Sequence, residues 1–423
     1  MDLSGWIAIL ILVLFFLGVE VITVLGIGAI LLTLVTRQFP LMNISLTMFD
    51  SLNLFPLIAL PLFVVTGDLI HAGGIARQIM EFSRALIGWA HGGLAQATII
   101  AAGFFSAISG SNAATVATVG RVVLPSMKEE SYPPSFAAAT VAAGGVTGII
   151  IPPSIAFVLY GITVNVSVSD LFIAGTLPGF VMVGFMCVVA WWTAKRNGYG
   201  KRFPFSWSEL GRTALGTKYA AGAVAIILVG IYAGMFTPTE AGAVAAVYCL
   251  LVGMFITREI KLRSIPAILN LSAQICGLIA PIVAIAIVFS QNLAVLRIPT
   301  VVVDFFVNFS DSNFIRMMGV LTLLLIVGCF MEASPSILLL SPILVPVGQQ
   351  IGLDPVHFGV IVVSTLAVGF ITPPVGLNLF VASAMSGVPY MNIARDSVAY
   401  IAVLILSLLV IAFVPQISLI FVK

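Results

Sequence analysis

Apolar runs of about 20 residues, long enough to cross a lipid bilayer, recur from one end of the sequence to the other. Trp6–Val35, Phe172–Trp192 and Ala220–Met235 are examples. Nothing else constrains the fold so strongly, because backbone in hydrocarbon must satisfy its own hydrogen bonds, as helices do. Hydrophobic residues are 61% of the 423 and charged residues only 8%, where a soluble domain is about one quarter charged. The expected fold class is therefore an all-α polytopic membrane protein, with the lipid bilayer as its surroundings. A formal net charge of +2 gives no ground for a nucleic-acid partner. Cys187, Cys249, Cys276 and Cys329 lie in apolar runs at unrelated spacings and read as packing residues, not as a disulfide framework or metal site. The first apolar stretch lacks a basic region before it and is too long for a cleavable signal. Lys195–Lys218, the longest polar stretch, is expected to be a loop rather than a soluble domain.

An internal repeat organises these runs. Pro125 recurs as Pro346, Pro134 as Pro355, Gly148 as Gly369, Pro152 as Pro373 and Pro153 as Pro374, each 221 positions on. Arg37 and Arg258 share that offset, and Glu20 and Glu240 differ by 220. VVLP at 122–125 matches ILVP at 343–346, and GIIIPPS at 148–154 matches GFITPPV at 369–375. The halves are 1–215 and 219–423.

Lys and Arg favour the cytoplasmic side, which places the basic segments 195–218 and 258–263 inside. An even number of crossings must then join them, so 219–257 is two short helices and, by the repeat, so is 4–36. Residues 52–72 cross inward. Residues 74–90, with Arg77, Glu81 and Arg84 amid apolar residues, suit a helix lying in the inner interface. Residues 94–125 form a re-entrant hairpin, 134–165 cross outward as a broken helix, and 171–194 return. Five crossings per half make the second half inverted, with its hairpin at 318–346 and its broken helix at 356–386. Both termini then lie outside. Of the 18 basic residues, all except Arg37, Arg297, Arg316 and Lys423 fall inside or at the inner face. Inverted repeats with broken helices recur in secondary transporters.

Two breaks per half carry the chemistry. FFSAISGSNAAT (104–115) and GCFMEASPSI (328–337) interrupt apolar segments as hairpin tips, each followed by a proline, Pro125 or Pro346, that would end the outgoing leg. GGVTGIIIPPSIAF (144–157) and AVGFITPPVGLNLF (367–380) contain consecutive prolines, which remove backbone donors and forbid a regular helix. The bared carbonyls need a cavity or ligand. Beside Ser, Thr or Asn oxygens they suit a desolvated alkali cation, and the restarting helix N-termini suit a carboxylate. One such break is ordinarily a kink or a packing feature; a symmetric set of four points to a site. Glu240 reads instead as structure, the third residue of a capping box begun by Thr237 and Pro238. Glu332, at the second tip, fits either binding or a satisfied tip hydrogen bond. Arg297 is the cation nearest the outer hairpin, as a substrate contact or, more in keeping with its place, a snorkelling interfacial residue. His71, His91 and His357 share no ligand spacing and are assigned to interfaces or loops.

The sequence has no phosphate-binding G-x-x-x-x-G-K-[ST] loop, no HExxH and no nucleophile elbow, so neither direct ATP coupling nor an enzyme is expected. Acidic residues are too few in the spans for a proton relay, which leaves Na+ coupling as the economical reading.

The segments SAISGSNAATVATVG, GIIIPPSIAFVLYG, GMFTPTEAGAVAA and GFITPPVGLNLF resemble the large membrane subunit of tripartite ATP-independent periplasmic (TRAP) transporters, over nearly the whole chain. The look is closest to sialic-acid or C4-dicarboxylate systems. The resemblance implies an elevator-type fold, with scaffold and transport domains each drawn from both repeats, in a bacterial inner membrane. It implies two Na+ sites. The first would draw on Ser106, Ser109, Asn112, Gly148 and Pro152, and the second on Gly328, Glu332, Gly369, Thr372 and Gly376. A small organic anion would lie near Ser109, Ser111, Ser154 and Asn378. The implied partners are a separately encoded four-helix membrane subunit and a periplasmic substrate-binding protein. The expected function is Na+-coupled import of that anion. The alternatives are a stand-alone Na+/dicarboxylate symporter or cation antiporter and, more remotely, an intramembrane enzyme or a passive scaffold.

Overall fold

The computed structural model describes residues 3–422, and no β-strand occurs among them. The first half runs α1 (Leu3–Phe16), α2 (Val21–Thr36), α3 (Met42–Leu52), α4 (Ala59–Ala72) and α5 (Ile75–Ile87). A hairpin follows, α6 (Gly93–Ser109) and α7 (Asn112–Glu129). Then come a broken helix, α8 (Pro134–Gly144) and α9 (Ile155–Val164), the long α10 (Val168–Asn197) and the short α11 (Trp207–Gly216). The second half runs α12 (Lys218–Tyr232), α13 (Pro238–Leu251), α14 (Ile265–Val295) and α15 (Ile298–Phe309). Its hairpin is α16 (Asn313–Phe330) and α17 (Ala333–Gln350), its broken helix α18 (Pro355–Gly369) and α19 (Leu377–Ser386), and its long helix α20 (Tyr390–Phe413).

Both halves therefore present two short helices, a hairpin, a broken helix and a long helix in the same order. Details of backbone follow the same offset. Arg37 and Arg258 both adopt positive φ, at 51° and 58°, and Pro152–Pro153 and Pro373–Pro374 are both cis. Among the described residues, six helices are long and apolar enough to cross a bilayer, seven if the bent pair α11–α12 counts as one span. The legs of the broken helices are shorter.

Local chemistry explains several boundaries. Thr237 Oγ1 accepts from the Glu240 N–H at 3.3 Å while the Glu240 carboxylate accepts from the Thr237 N–H at 2.8 Å. This is the expected capping box, with Pro238 in the first turn. Asp354 accepts from the Val356 and His357 N–H groups at 2.8 and 3.3 Å and starts α18 behind Pro355. His357 consequently lies inside a helix and is fully buried, not in a loop or interface as its spacing suggested. His91 does occupy a loop, between α5 and α6.

Three further expectations change. Pro125 and Pro346 lie inside α7 and α17 and do not end them, because neighbouring helices can tolerate the freed carbonyls. Within 195–218, α10 continues to Asn197, and Ser206, which accepts from the Glu209 N–H at 3.3 Å, caps α11. The segment is a helix between two connectors, bent by 63° into α12. Residues 42–52 form α3, so the first half has α3 and α4 where the second has one 31-residue helix, α14.

Packing sorts the helices into two groups. In one, α2, α3 and α4 pack on α14, and α4 packs on α13. In the other, the hairpins and broken helices pack on each other and on α10 and α20: α7 and α8 on α19, α9 on α17, α16 on α18, α8 on α20. Halves interleave within this second group. The Tyr160 hydroxyl donates to the Pro355 carbonyl at 2.8 Å, and Thr140 and Tyr400 share a hydroxyl hydrogen bond at 2.9 Å.

Helix α5 forms where an interfacial helix was expected. It packs on α6, α7 and α11, and Arg84 pairs with Glu130 just past the end of α7 while lying 4.5 Å over the Phe203 ring. Burial holds the Glu130 carboxyl above the usual carboxylate range, and the nearby Arg84 and Lys201 pull it back only in part. An acid raised in this way favours the folded state at low pH, and its contribution fades as pH rises through the folded pKa. Arg84→Ala strands the carboxylate, at a cost of about 1–3 kcal/mol. Its melting temperature in detergent should fall, with a larger deficit at higher pH, where Glu130 is ionised, than at lower pH, where it is protonated. Equal deficits at both pH values would contradict this role for the pair.

Candidate functional site

A cavity of about 300 Å3 touches both hairpin tips and both helix breaks. The first tip supplies Ser109, Ser111 and Asn112, and the second supplies Glu332 and Ser334. Ile149 and Ile155 flank the first break, Phe370 and Leu377 the second. The opposite wall belongs to the other packing group, through Gly67, Asp68 and His71 of α4 and Leu271, Ile275 and Ile279 of α14. Gly67 allows the close approach: a Cβ there would lie 3.3 Å from the Ile108 oxygen and from Ser109 Cα.

In the first half, hairpin and break are locked together. Gly110 turns the tip with φ +59°, and a Cβ there would sit 3.1 Å from the Pro153 oxygen. Gly148 abuts Asn112, so that a Cβ would lie 2.6 Å from Asn112 Cα. Ser106 bonds to Thr147 across this contact at 2.7 Å, and Ser109 bonds to Thr115 at 3.0 Å. Ser111 caps α7. Beyond Pro152 and Pro153, Ser154 caps α9 and donates to the Ile149 carbonyl at 2.5 Å. Asn112 is 3% exposed, yet neither its Oδ1 nor its Nδ2 has a hydrogen-bond partner. A buried amide without partners is costly, and both atoms sit at the tip beside the break.

The second half repeats the contact with other residues. A Cβ on Gly369 would lie 2.4 Å from the Gly328 carbonyl carbon. Gly376, at φ +57°, donates its N–H to the Cys329 carbonyl at 3.1 Å. Thr372 bonds back to the Val368 carbonyl at 2.8 Å, and Ser336 to the Glu332 carbonyl at 2.7 Å. The Tyr390 hydroxyl spans the break by donating toward the Pro374 and Val375 carbonyls, each 2.9 Å away. Asn378 links the two breaks, since its Nδ2 donates to the Ala142 carbonyl at 3.1 Å while its Oδ1 has no partner.

Of the residues singled out in the sequence, Ser109, Ser111, Asn112 and Glu332 line the cavity. Ser106, Gly148, Pro152 and Ser154 stand at the first hairpin–break contact, and Gly328, Gly369, Thr372 and Gly376 at the second. Arg297 is not among the lining residues. It takes φ 54° between α14 and α15 and precedes the first turn of α15. His71 was assigned to an interface or loop but lines the cavity from the end of α4, with Nδ1 3.4 Å from Thr118 Oγ1. Asp68, Thr118 and Arg121 also line it and were not singled out. Asp68 accepts from the Ser272 hydroxyl at 2.5 Å, tying α4 to α14. An acid within the apolar stretch PLFVVTGDLI was the available signal.

Residues 8–417 match the family described as the tripartite ATP-independent periplasmic transporter, DctM component. The chain belongs to that family. Among its relatives, the C4-dicarboxylate TRAP transporter large permease protein DctM of Rhodobacter capsulatus is 35% identical, with 97% of this chain and 96% of that protein covered. The sialic acid TRAP transporter large permease protein of Vibrio cholerae is 32% identical, with 99% and 97% covered. An isethionate TRAP transporter permease protein, DctMQ, of Oleidesulfovibrio alaskensis is 35% identical over 99% of this chain but only 66% of its own length. The fold of this DctM component also resembles that of the Alcanivorax borkumensis YdaH transporter, with a TM-score of 0.60 at 14% identity over 88% of each chain. Neisseria gonorrhoeae MtrF gives 0.61 at 14% identity, covering 88% of this chain and 83% of that one. This chain, with its several apolar helices, is a multi-pass membrane protein of the TRAP transporter family.

Proposed function

We propose that the chain imports a small organic anion, of the dicarboxylate or sialic-acid class, by symport with Na+ across a bacterial inner membrane. The observation that carries this reading is the cavity bounded by both hairpin tips and both helix breaks, with a wall contributed by the other packing group. Backbone carbonyls at the breaks, the unpartnered Asn112 side chain and the free Asn378 Oδ1 would offer the hard oxygens that a desolvated Na+ needs. One cation would sit at each hairpin–break contact, with Ser106, Ser109, Asn112, Gly148 and Pro152 around the first and Gly328, Glu332, Gly369, Thr372 and Gly376 around the second. Between them, Ser109, Ser111, Ser154 and Asn378 would receive a carboxylate at helix N-termini, whose dipoles favour negative charge. Bound Na+ offsets the carboxylate in a medium of low dielectric, so the anion binds best once the cations are in place.

The two packing groups suggest the motion. The hairpins, broken helices, α10 and α20 would slide as one body past α2, α3, α4, α13 and α14, an elevator with inverted repeats and both termini outside. Partners complete the system: a small four-helix membrane subunit, and a periplasmic protein that delivers the anion. The test is uptake into proteoliposomes holding this chain and both partners. An inward Na+ gradient should drive accumulation of the delivered anion. Equal accumulation with K+ or protons alone would overturn the coupling, and uptake without the partners would favour a stand-alone carrier.

A further inference from the structure

The cavity extends away from the hairpin tips along one face of α7. Ala114, Ala117, Thr118 and Arg121 all line it, at the spacing that puts residues on a single helical face. From Asn112 to Arg121 that face runs about 13 Å. The tip end gathers the polar groups of the transport reading above. The far end has Arg121, an exposed residue that lines the cavity. Arg121 makes no ion pair: among the described residues the ion pairs are Arg84–Glu130 and Arg212–Glu209. Asp68, the acid of the opposite wall, is bonded to Ser272, and His71 faces Thr118. Glu332 lies at the tip end. Arg121 also borders a second crevice between α7, α8 and α19 that carries Lys128.

We propose that Arg121 is a substrate contact that holds a second anionic group, and that it makes the site selective for dianions over monoanions of similar size. This rests on the transport reading of the cavity. One carboxylate meets the Na+-loaded tips. Helical side chains lean back over the preceding turn, which brings the guanidinium toward Thr118 and Ala117, closer to the tip than the Arg121 backbone. Guanidinium and carboxylate match in a two-pronged geometry. A monocarboxylate of the same length would leave that cation unanswered.

The test uses the full-length purified chain in detergent with Na+, titrated with succinate and with butyrate, which has four carbons but one carboxylate. Wild type should bind succinate roughly 10- to 100-fold more tightly, the range expected of a charge-assisted pair. Arg121→Gln should erase most of that preference by lowering succinate affinity far more than butyrate affinity, and Arg121→Lys, a point charge without the fork, should keep part of it. Unliganded melting temperatures of both variants should match wild type. A succinate preference that survives in Arg121→Gln, or no preference in wild type, would overturn the assignment. If neither anion shows Na+-dependent binding, the transport reading itself falls and this assignment with it.

Discussion

Gly148→Ala and Gly369→Ala are each expected to reduce Na+-driven uptake by roughly 5- to 100-fold. Both glycines sit where a hairpin meets a break, and both would place a methyl against backbone. At Gly369 the new atom would be 2.4 Å from the Gly328 carbonyl carbon and 2.9 Å from the Cys329 nitrogen. At Gly148 it would be 2.6 Å from Asn112 Cα and 2.7 Å from the Asn112 nitrogen. Backbone at such a contact cannot rotate away, so hairpin and break must part. Overpacking of this kind costs about 1–3 kcal/mol, and each 1.4 kcal/mol is a factor of about ten in affinity. If the contact forms the cation site, separation by even part of an ångström should appear as lost Na+ affinity before it appears as unfolding. Gly277→Ala is the matched control, because nothing lies within 4 Å of its added carbon. It should transport normally and melt no lower than wild type, since alanine restricts the unfolded chain. Near-normal uptake in both contact variants would mean that the tips and breaks need not touch.

Asn112→Leu should produce two changes of opposite sign. The wild-type amide is buried with no hydrogen-bond partner within the protein at either polar atom, a penalty of about 1–3 kcal/mol where no ligand meets it. Leucine has a similar shape and no such penalty, so the sodium-free variant should melt higher. Added Na+ should raise the melting temperature of wild type more than that of the variant, which keeps the second site, and uptake should fall by about 10- to 100-fold, the scale of a lost charge-assisted contact. A purely structural asparagine would give the reverse pattern: a less stable variant with intact Na+ dependence.

Much of the architecture was legible because prolines and glycines punctuate helices wherever they occur. The five pairs 221 positions apart located both hairpins and both breaks, and the Thr237–Glu240 box marked the start of α13. Shorter features were not legible. Helix α11 hides in a basic stretch, where a Ser206-x-x-Glu209 start is easily passed over. Helix α3 precedes a break that α14 does not share, so the repeat could not reveal it. The prolines Pro125 and Pro346 misled for a physical reason: their helices are held by neighbours, and one missing donor does not end them.

The site was legible by type but not by membership. Oxygen-rich breaks are a pattern in sequence, whereas the wall that faces them is a matter of packing between distant segments. Asp68 and His71 belong to α4 and become cavity residues only because Gly67 lets that helix approach Ser109. Arg297 looked well placed beside the second hairpin, yet the 31-residue length of α14 ends it outside the cavity lining. Arg121 escaped notice because only its charge was counted, and its place in the cavity lining depends on how α7 packs.

Calorimetric titration of the purified chain with NaCl against KCl, at constant ionic strength and without substrate, asks most directly whether the paired interruptions bind cations. The account predicts saturable heat equivalent to two Na+ per chain, with none for K+ in the same range and one site lost in Asn112→Leu. Sodium heats indistinguishable from those of potassium would contradict it.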